Sequence, residues 1–310
     1  MRFFLLQWDA PVDYKHGAME RQNRMPAVAG MFYPADAGQC RMQAQFFLQG
    51  PIPNGIGNVL GAIVPHAGWI CSGAIAGESI RAVASARPDA DVIVVFGAVH
   101  TALPLNIAAL DTFDAWQEPG AACAVESELR RELSGQSRWF VVNDLFHQRE
   151  HAVEVVLPLV QLAWPSAKVL PIEVPPVAEA AEIGRLAARA VMSHGNRPVY
   201  LASSDLTHYG PSYQFAPAGV GEMGLQWAME NDRRLLQLVT AGAVERIVPE
   251  VMARHNACGA GAIAAMMAAC REHGAVKATV LRHANSFQTL AAVAPQKPEN
   301  AVGYAAVVMG

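Results

Sequence analysis

Three histidines and one cysteine are the residues whose types and positions could do chemistry in this sequence. His66, His100 and His208 each follow an apolar segment by a few residues, and Cys258 precedes a segment of small residues. Neutral imidazole is the commonest metal ligand and the usual proton carrier near neutral pH. A thiol just before a helix ionises more easily to thiolate, which binds metals or acts as a nucleophile. The four residues predict a metal or nucleophilic site if the fold brings them together.

The segments before the histidines are typical of buried parallel strands. Residues 59–64, 91–96 and 198–203 are largely apolar on both faces, as central strands of a parallel sheet are. Open α/β sheets place their sites at the carboxyl ends of such strands. A single histidine there is more readily explained as a loop residue, but three converging on one edge favour a site.

Further strands and helices alternate along the chain. The other predicted strands are residues 168–174, 276–282 and 301–309, and the predicted helices are residues 72–85, 125–133, 153–164, 178–194, 223–240 and 259–273. This alternation predicts a single-domain α/β fold with a mostly parallel central sheet flanked by helices. We assign residues 1–24 to an N-terminal extension and residues 25–310 to the domain, with the Pro/Gly-rich stretch 50–57 as a loop.

Composition excludes several classes of protein. The net charge of −4 gives no reason to expect binding to nucleic acid or to an anionic membrane. No stretch has the roughly 18 uninterrupted apolar residues of a membrane span, and the start lacks the features of a signal peptide. The 5 cysteines do not follow the spacing of a disulfide framework. We therefore expect a cytoplasmic protein that acts on a small-molecule substrate.

Other polar residues have competing interpretations. Asp205 could orient His208 or bind substrate, or it could cap the following turn. His151 could contribute to the pocket, whereas ordinary helix-dipole chemistry is the stronger explanation for Glu150 and Glu154. The remaining histidines are predicted to lie at the surface or in solvent: His16, His147, His194, His273 and His283.

An ordered series of motifs resembles one known family. The motifs include Pro-His-Ala-Gly-Trp at 65–69, Glu-His-Ala-Val-Glu at 150–154 and Ser-Ser-Asp-Leu-Thr-His at 203–208. The full series occupies residues 26–34, 65–73, 97–100, 150–154, 157–158, 203–209, 257–259 and 302–304. Each motif is weak alone, but the ordered series resembles the Memo family, also called AmmeMemoRadiSam system protein B, over nearly the whole chain from Pro26.

The sequence departs from the family pattern around the expected substrate. Residues 97–100 read Gly-Ala-Val-His where the family usually has Gly-Pro-x-His, and Ala152 replaces a serine. Two further motifs are degraded at 117–120 and 125–126, and the segment 214–224 matches poorly. These departures bear on the identity of the substrate, because the metal-type residues are all present.

The resemblance implies a fold and a set of roles. The family is similar in fold to class III extradiol dioxygenases (LigB-like), which hold Fe(II) on two histidines and a glutamate. By this resemblance His66 and His100 match the histidine ligands, Cys258 takes the place of the carboxylate, and His208 matches the acid/base histidine. Asp205 and His151 complete the expected catalytic set. Fe(II) is the expected metal, with copper or zinc as alternatives because thiolate is a softer ligand than carboxylate.

Several functions remain open at this stage. The first hypothesis is a non-haem metal-dependent dioxygenase or oxidoreductase acting on a small, chelating substrate such as a phenol. The alternative is a non-catalytic metal- or peptide-binding scaffold of a signalling or modification system. For the modification system the resemblance implies AMMECR1-like and radical SAM partners. A cysteine hydrolase using Cys258 and His208, or a zinc hydrolase, is weaker. The sequence has no Walker or GxSxG motif, and no GxGxxG motif follows a predicted strand.

Overall fold

The computed structural model describes residues 22–52, 57–101, 104–291, 293 and 297–310. The strands in these ranges are β1 (Asn23–Arg24), β2 (Gly61–Val64), β3 (Val92–Gly97), β4 (Ala108–Leu110), β5 (Ala115–Glu118), β6 (Ala121–Ala124), β7 (Phe140–Val142), β8 (Lys168–Glu173), β9 (Pro198–Ser203), β10 (His208–Tyr209), β11 (Ala278–Asn285) and β12 (Ala301–Met309). The α-helices are α1 (Ala37–Leu48), α2 (Trp69–Ala86), α3 (Ser127–Ser134), α4 (Leu157–Ala163), α5 (Ala180–Ser193), α6 (Glu222–Thr240), α7 (Val244–Arg254), α8 (Ala260–Glu272) and α9 (Ser286–Leu290). The short 3-10 turns are Asp144–Phe146, Glu154–Val156 and Pro211–Tyr213.

The large sheet has a parallel centre and antiparallel edges. Its strand order is β10-β12-β2-β9-β3-β8-β4-β7, with β11 paired to β12. Strands β2, β9, β3 and β8 run parallel, whereas β12 and β4 pair antiparallel to this central group. The predicted α/β fold with flanking helices is confirmed, and the parallel pairing is concentrated at the centre of a mixed sheet.

The register of the four central strands aligns their carboxyl ends. Ser203 is the partner of both Val64 and Gly97, and Gly97 is the partner of Glu173. The turns that follow these strands therefore start from one level of the sheet. This alignment is what brings residues that are distant in sequence, such as those after Val64 and Ser203, to the same edge.

Helices cover both faces of the sheet because the strand side chains alternate. On β3, Val92, Val94 and Phe96 pack into one core with α3, α5, α6, α7 and α8. Ile93 and Val95 point into the other core, with α1, α2 and α4. The result is a three-layer arrangement in which every central strand is buried on both sides.

Helix α8 is apolar all round and is buried accordingly. Every residue from Ala260 to Cys270 is buried. Small side chains let neighbouring helices approach closely, and a Cβ added at Gly184 of α5 would lie 1.9 Å from the Ala265 carbonyl oxygen. The position of the α8 N-terminus, next to Cys258, is therefore fixed by packing along the whole helix.

Some elements differ from the sequence prediction. The predicted helix 153–164 starts as the 3-10 turn Glu154–Val156 and continues as α4. Helices α1 and α7, and the small sheet β1-β5-β6, were not predicted. Residues 1–21 of the predicted extension, and residues 53–56 of the predicted loop, lie outside the described residues. No helix in the described ranges is both long and apolar enough to cross a lipid bilayer.

Candidate metal centre

The turn after β2 presents His66 with its Nε2 atom free. The side chain is 1% exposed, and its Nδ1 atom lies 2.9 Å from Ser203 Oγ. Ser203 Oγ donates its hydrogen to the Ala152 carbonyl oxygen at 2.5 Å, so it must accept from His66 Nδ1. The proton therefore sits on Nδ1 and the lone pair on Nε2. Burial lowers the pKa of His66 well below its ordinary value, which keeps the ring neutral.

Glu150 orients His100 in the same way as Ser203 orients His66, through a hydrogen bond at Nδ1. Its buried carboxylate accepts from His100 Nδ1 at 2.8 Å, from the His100 backbone N–H at 2.5 Å, and from the N–H groups of His151 and Ala152. Burial by itself would raise the pKa of Glu150, but the hydrogen bonds from His100 hold it below its ordinary value. A carboxylate behind an imidazole is the usual support of a metal-ligating histidine.

Cys258 lies at the turn that leads into α8. Its Sγ atom accepts a hydrogen bond from the Asp205 backbone N–H at 3.3 Å and lies 3.4 Å from His66 Nε2. An antiparallel bridge between Leu206 and Ala257 joins this turn to the loop after β9. The sulfur is therefore held by backbone contacts on one side and faces an imidazole on the other.

The three predicted ligands converge on one point. The Nε2 or Nδ1 atoms of His66 and His100 and the Sγ atom of Cys258 all lie within 4.8 Å of one another. Two ligands at about 2.1 and 2.3 Å from a shared ion stand about 3.5 Å apart, close to the observed separation of His66 Nε2 and Cys258 Sγ. The donor set thus fits a metal ion in the transition series. The pKa of His100 is raised to about 11, because hydrogen bonds with Cys258 and Glu150 outweigh the opposing effect of burial.

His151 lies against both histidine ligands. Its ring centroid is 4.6 Å from that of His100 and 5.3 Å from that of His66. Burial, together with the charge of His100, lowers the pKa of His151 to about 4. His100, Glu150 and His151 form a second group with metal-ligand geometry, but His100 Nδ1 is committed to Glu150. We therefore interpret Glu150 as the support of His100 and His151 as a neutral neighbour of the first group.

His208 and Asp205 form hydrogen bonds with different parts of the backbone. His208 Nδ1 donates to the Leu206 carbonyl oxygen at 3.2 Å, which leaves Nε2 free to take a proton. Asp205 Oδ1 accepts from the backbone N–H groups of His66 and Ala67 at 2.8 and 3.2 Å. Its hydrogen bonds thus fix the turn that carries His66, and no hydrogen bond to His208 occurs among the described residues. Burial raises the pKa of Asp205.

Helix α6 ties the His208 and Cys258 loops together. Asp232 accepts from the Thr207 backbone N–H and pairs with His283 Nε2, both at 2.9 Å. Asn231 Nδ2 donates to Thr207 Oγ1 at 3.2 Å and to the Arg254 carbonyl oxygen at 3.0 Å. The sequence does not point to Asp232 and Asn231, because the residues that they contact lie on three other elements.

A cleft of about 470 Å³ opens onto the histidines. Its walls bring together four histidines with other polar and aromatic residues: Phe32, His66, Cys71, His100, His151, Asp205, His208, Tyr213, Ser286, Asn300 and Tyr304. The side chain of His100 is 30% exposed to this space. A ligand of small-molecule size can therefore reach the donor atoms.

A protein-family model described as Memo-like protein matches residues 24–308. The chain belongs to the Memo family. A MEMO1 family protein of Methanosarcina barkeri is 31% identical over 292 residues, which cover 92% of this chain and 99% of the relative. A MEMO1 family protein of Thermococcus kodakarensis is 32% identical over 297 residues, with 92% and 98% covered. The family membership expected from the motifs is confirmed.

In this Memo family protein, Glu154 is not a simple helix-dipole residue. It is 2% exposed and accepts from the backbone N–H groups of Ala27 and Val28 at 2.8 and 2.9 Å, from Tyr33 Oη at 2.9 Å, and from the Arg24 guanidinium. The dipole explanation for Glu150 and Glu154 was therefore incomplete. Both carboxylates organise backbone that is distant in sequence.

His147 was predicted at the surface, and that prediction was wrong. The side chain is 0% exposed, and its Nδ1 atom lies 3.7 Å from a carboxylate oxygen of the equally buried Glu173. Burial lowers the pKa of His147 to about 4 and raises that of Glu173 well above its ordinary value, so burial disfavours the charged form of both groups. The polar residues around His147 in the sequence concealed its burial beneath Trp116.

Proposed function

We propose that this Memo family protein is a metal-dependent oxidoreductase that acts on a small, phenol-like substrate. The observation that carries the proposal is the convergence of His66, His100 and Cys258, whose donor atoms lie within 4.8 Å of one another, beside a cleft that the two histidines line. Two imidazoles and one thiolate leave coordination positions open for other ligands, as facial three-residue sites do. Fe(II) is the first choice, with copper or zinc as the alternatives.

In this proposal, separate residues bind the metal, orient the ligands and accept a proton. His66 and His100 would bind through Nε2 and Cys258 through Sγ, while Ser203 and Glu150 keep the imidazoles oriented. A bound ferrous ion supplies Lewis acidity toward a hydroxyl group and redox chemistry toward dioxygen. His208 would take the hydroxyl proton at its free Nε2 atom, since its Nδ1 atom donates to the Leu206 carbonyl oxygen.

The test is metal content by mass spectrometry on protein purified without oxygen. We expect about one iron per chain in the wild type, and loss of the iron in His66→Ala and in Cys258→Ala, because two donors hold a transition metal weakly. The exposed His194→Ala variant is the matched control and should retain the metal. His208→Phe should retain the metal but lose catechol-dependent oxygen consumption.

Two results would contradict the proposal. The first is protein that holds no metal even when Fe(II), Cu(I) or Zn(II) is offered. The second is metal content that does not change in His66→Ala. Either result favours the scaffold alternative, in which the cleft binds a peptide or metabolite without turnover.

A further inference from the structure

A second cavity adjoins the histidine cleft and reaches Cys258. Its volume is about 470 Å³, and His208 and Tyr213 line both spaces. His66 and His100 line only the cleft, whereas Cys258 lines only the second cavity. The sulfur is therefore approached from a compartment that the two histidine ligands do not line.

The two compartments differ in chemistry. The second cavity is walled by aromatic and aliphatic side chains, among them Tyr213, Phe215, Val251 and Met252. Within the described part of the chain, its lining contains no Asp, Glu, Lys or Arg, whereas the cleft contains Asp205. A carboxylate in the second cavity would lose part of its hydration and would meet no lysine or arginine, only the imidazoles of His208 and His255, so an uncharged group is favoured.

The backbone at the rim of the second cavity is held in a costly conformation. Gln214 and His255 each have φ of 53°, and they are the two non-glycine residues in the left-handed region among the described residues. This conformation costs a residue with a Cβ roughly 1–2 kcal/mol. The ring of Phe215 packs between them and α6, with centroids 5.4 Å from His255 and 5.7 Å from Trp227. The wall is thus preformed, as expected of a binding site.

We propose that the second cavity binds an uncharged aromatic ring, with the edge of the ring at His208 and Cys258. Tyr213 and Phe215 offer ring faces and edges, and the volume suits a single substituted ring. The identity of this ring as part of the substrate rests on the proposed function. The cavity and its preference for an uncharged ligand do not depend on turnover.

The test compares two probes of the same size that differ in charge. Binding of 4-fluorophenol and of 4-fluorobenzoate to the full-length protein is followed by fluorine NMR. We expect the neutral phenol to bind at least about tenfold more tightly than the carboxylate, because the cavity offers the carboxylate no lysine or arginine. Met252 is 58% exposed at the cavity wall, so Met252→Arg should fold and should raise 4-fluorobenzoate affinity by about tenfold. Met192→Arg, at a site on α5 that is 41% exposed, is the matched control and should change neither affinity.

The metal content of the same samples separates this inference from the proposed function. A phenol preference in the wild type that Met252→Arg removes supports the aromatic compartment, whether or not metal is bound. Equal affinity of the wild type for the two probes overturns it, and so does a phenol preference that Met252→Arg leaves unchanged, because the probes would then bind elsewhere, such as in the histidine cleft. Protein that binds phenol selectively but holds no metal keeps the compartment and overturns the oxidoreductase.

Discussion

Glu150 is the single residue on which the orientation of the candidate metal centre most depends. One buried carboxylate accepts from the ring and the backbone of His100 and from the backbone of His151 and Ala152. Because it is an acceptor on every side, it fixes the proton of His100 on Nδ1. Ser203 does the same for His66 through a single hydroxyl group. Both imidazoles are therefore oriented with Nε2 toward the site before any ligand binds, and the raised pKa of His100 means that its Nε2 atom gives up a proton when a metal binds.

We predict that Glu150→Gln lowers metal affinity by about 10- to 100-fold without abolishing folding. The amide retains the shape of the carboxylate but offers fewer acceptor positions and no negative charge to His100. The measurement is a competition titration against a chelator of known affinity. Glu128→Gln, which changes a carboxylate that is 67% exposed, is the control. Equal affinity in Glu150→Gln and wild type would show that Glu150 does not support a ligand.

Residue type pointed to the candidate ligands, but not to the residues that support them. His66, His100 and His208 could be predicted because three histidines follow strands of one sheet, and Cys258 could be predicted because it precedes a helix. Glu150 lies 50 residues from the histidine it orients, and its neighbours in the sequence suggest only a helix start. A hydrogen bond between residues so far apart depends on the register of the sheet, which cannot be read from the sequence.

At the scale of elements, the apolar strands were predictable and the short or weakly patterned elements were not. Strands β9 and β12 have the predicted bounds, because their residues are apolar throughout and buried on both faces. Helix α7 contains Pro249, which argues against a helix interior, and β5 and β6 have only four residues each. Yet α7 provides a wall of the second cavity, so the missed element bears on ligand choice.

The positions of the loops that carry His208 and Cys258 depend on contacts with α6. A substitution of Asp232 on this helix tests that dependence. We predict that Asp232→Ala lowers the free energy of unfolding by about 2–4 kcal/mol, because the Thr207 N–H and His283 lose a buried acceptor. Asp232→Asn should recover most of the loss, since the amide still accepts from Thr207. Urea unfolding measures both variants. Equal stability of Asp232→Ala and wild type would contradict the assigned role of α6.

At the scale of the whole molecule, the candidate centre exists only when distant parts of the chain have folded. His66 and Cys258 are 192 residues apart, and they meet because β2 and α8 belong to the same packed body. A ligand that binds this centre binds only the folded chain and stabilises it as a whole. The cleft and the aromatic cavity are likewise built from loops that a single sheet edge supports.

The buried ionisable groups set opposing trends in stability with pH. Burial raises the pKa of Glu118 to about 7, although a hydrogen bond from the Cys123 thiol at 2.9 Å opposes the shift. Because the folded pKa is above the unfolded value, the folded chain binds the extra proton. This contribution to stability is full below about pH 4.5 and is lost as pH rises through about 7. Burial lowers the pKa of His147 and His151 to about 4, which acts in the opposite direction.

Comparison with Glu118→Gln isolates the Glu118 contribution, because the histidines are the same in both proteins. The amide cannot ionise, and its oxygen can still accept from Cys123. We predict that wild type loses about 1–3 kcal/mol relative to Glu118→Gln between pH 4.5 and pH 7.5. The measurement is urea unfolding at half-unit pH steps, with the exposed Glu128→Gln as the control that should follow wild type. If the wild-type and Glu118→Gln profiles stay parallel, Glu118 ionises below this range, and water reaches its carboxyl group in the folded protein.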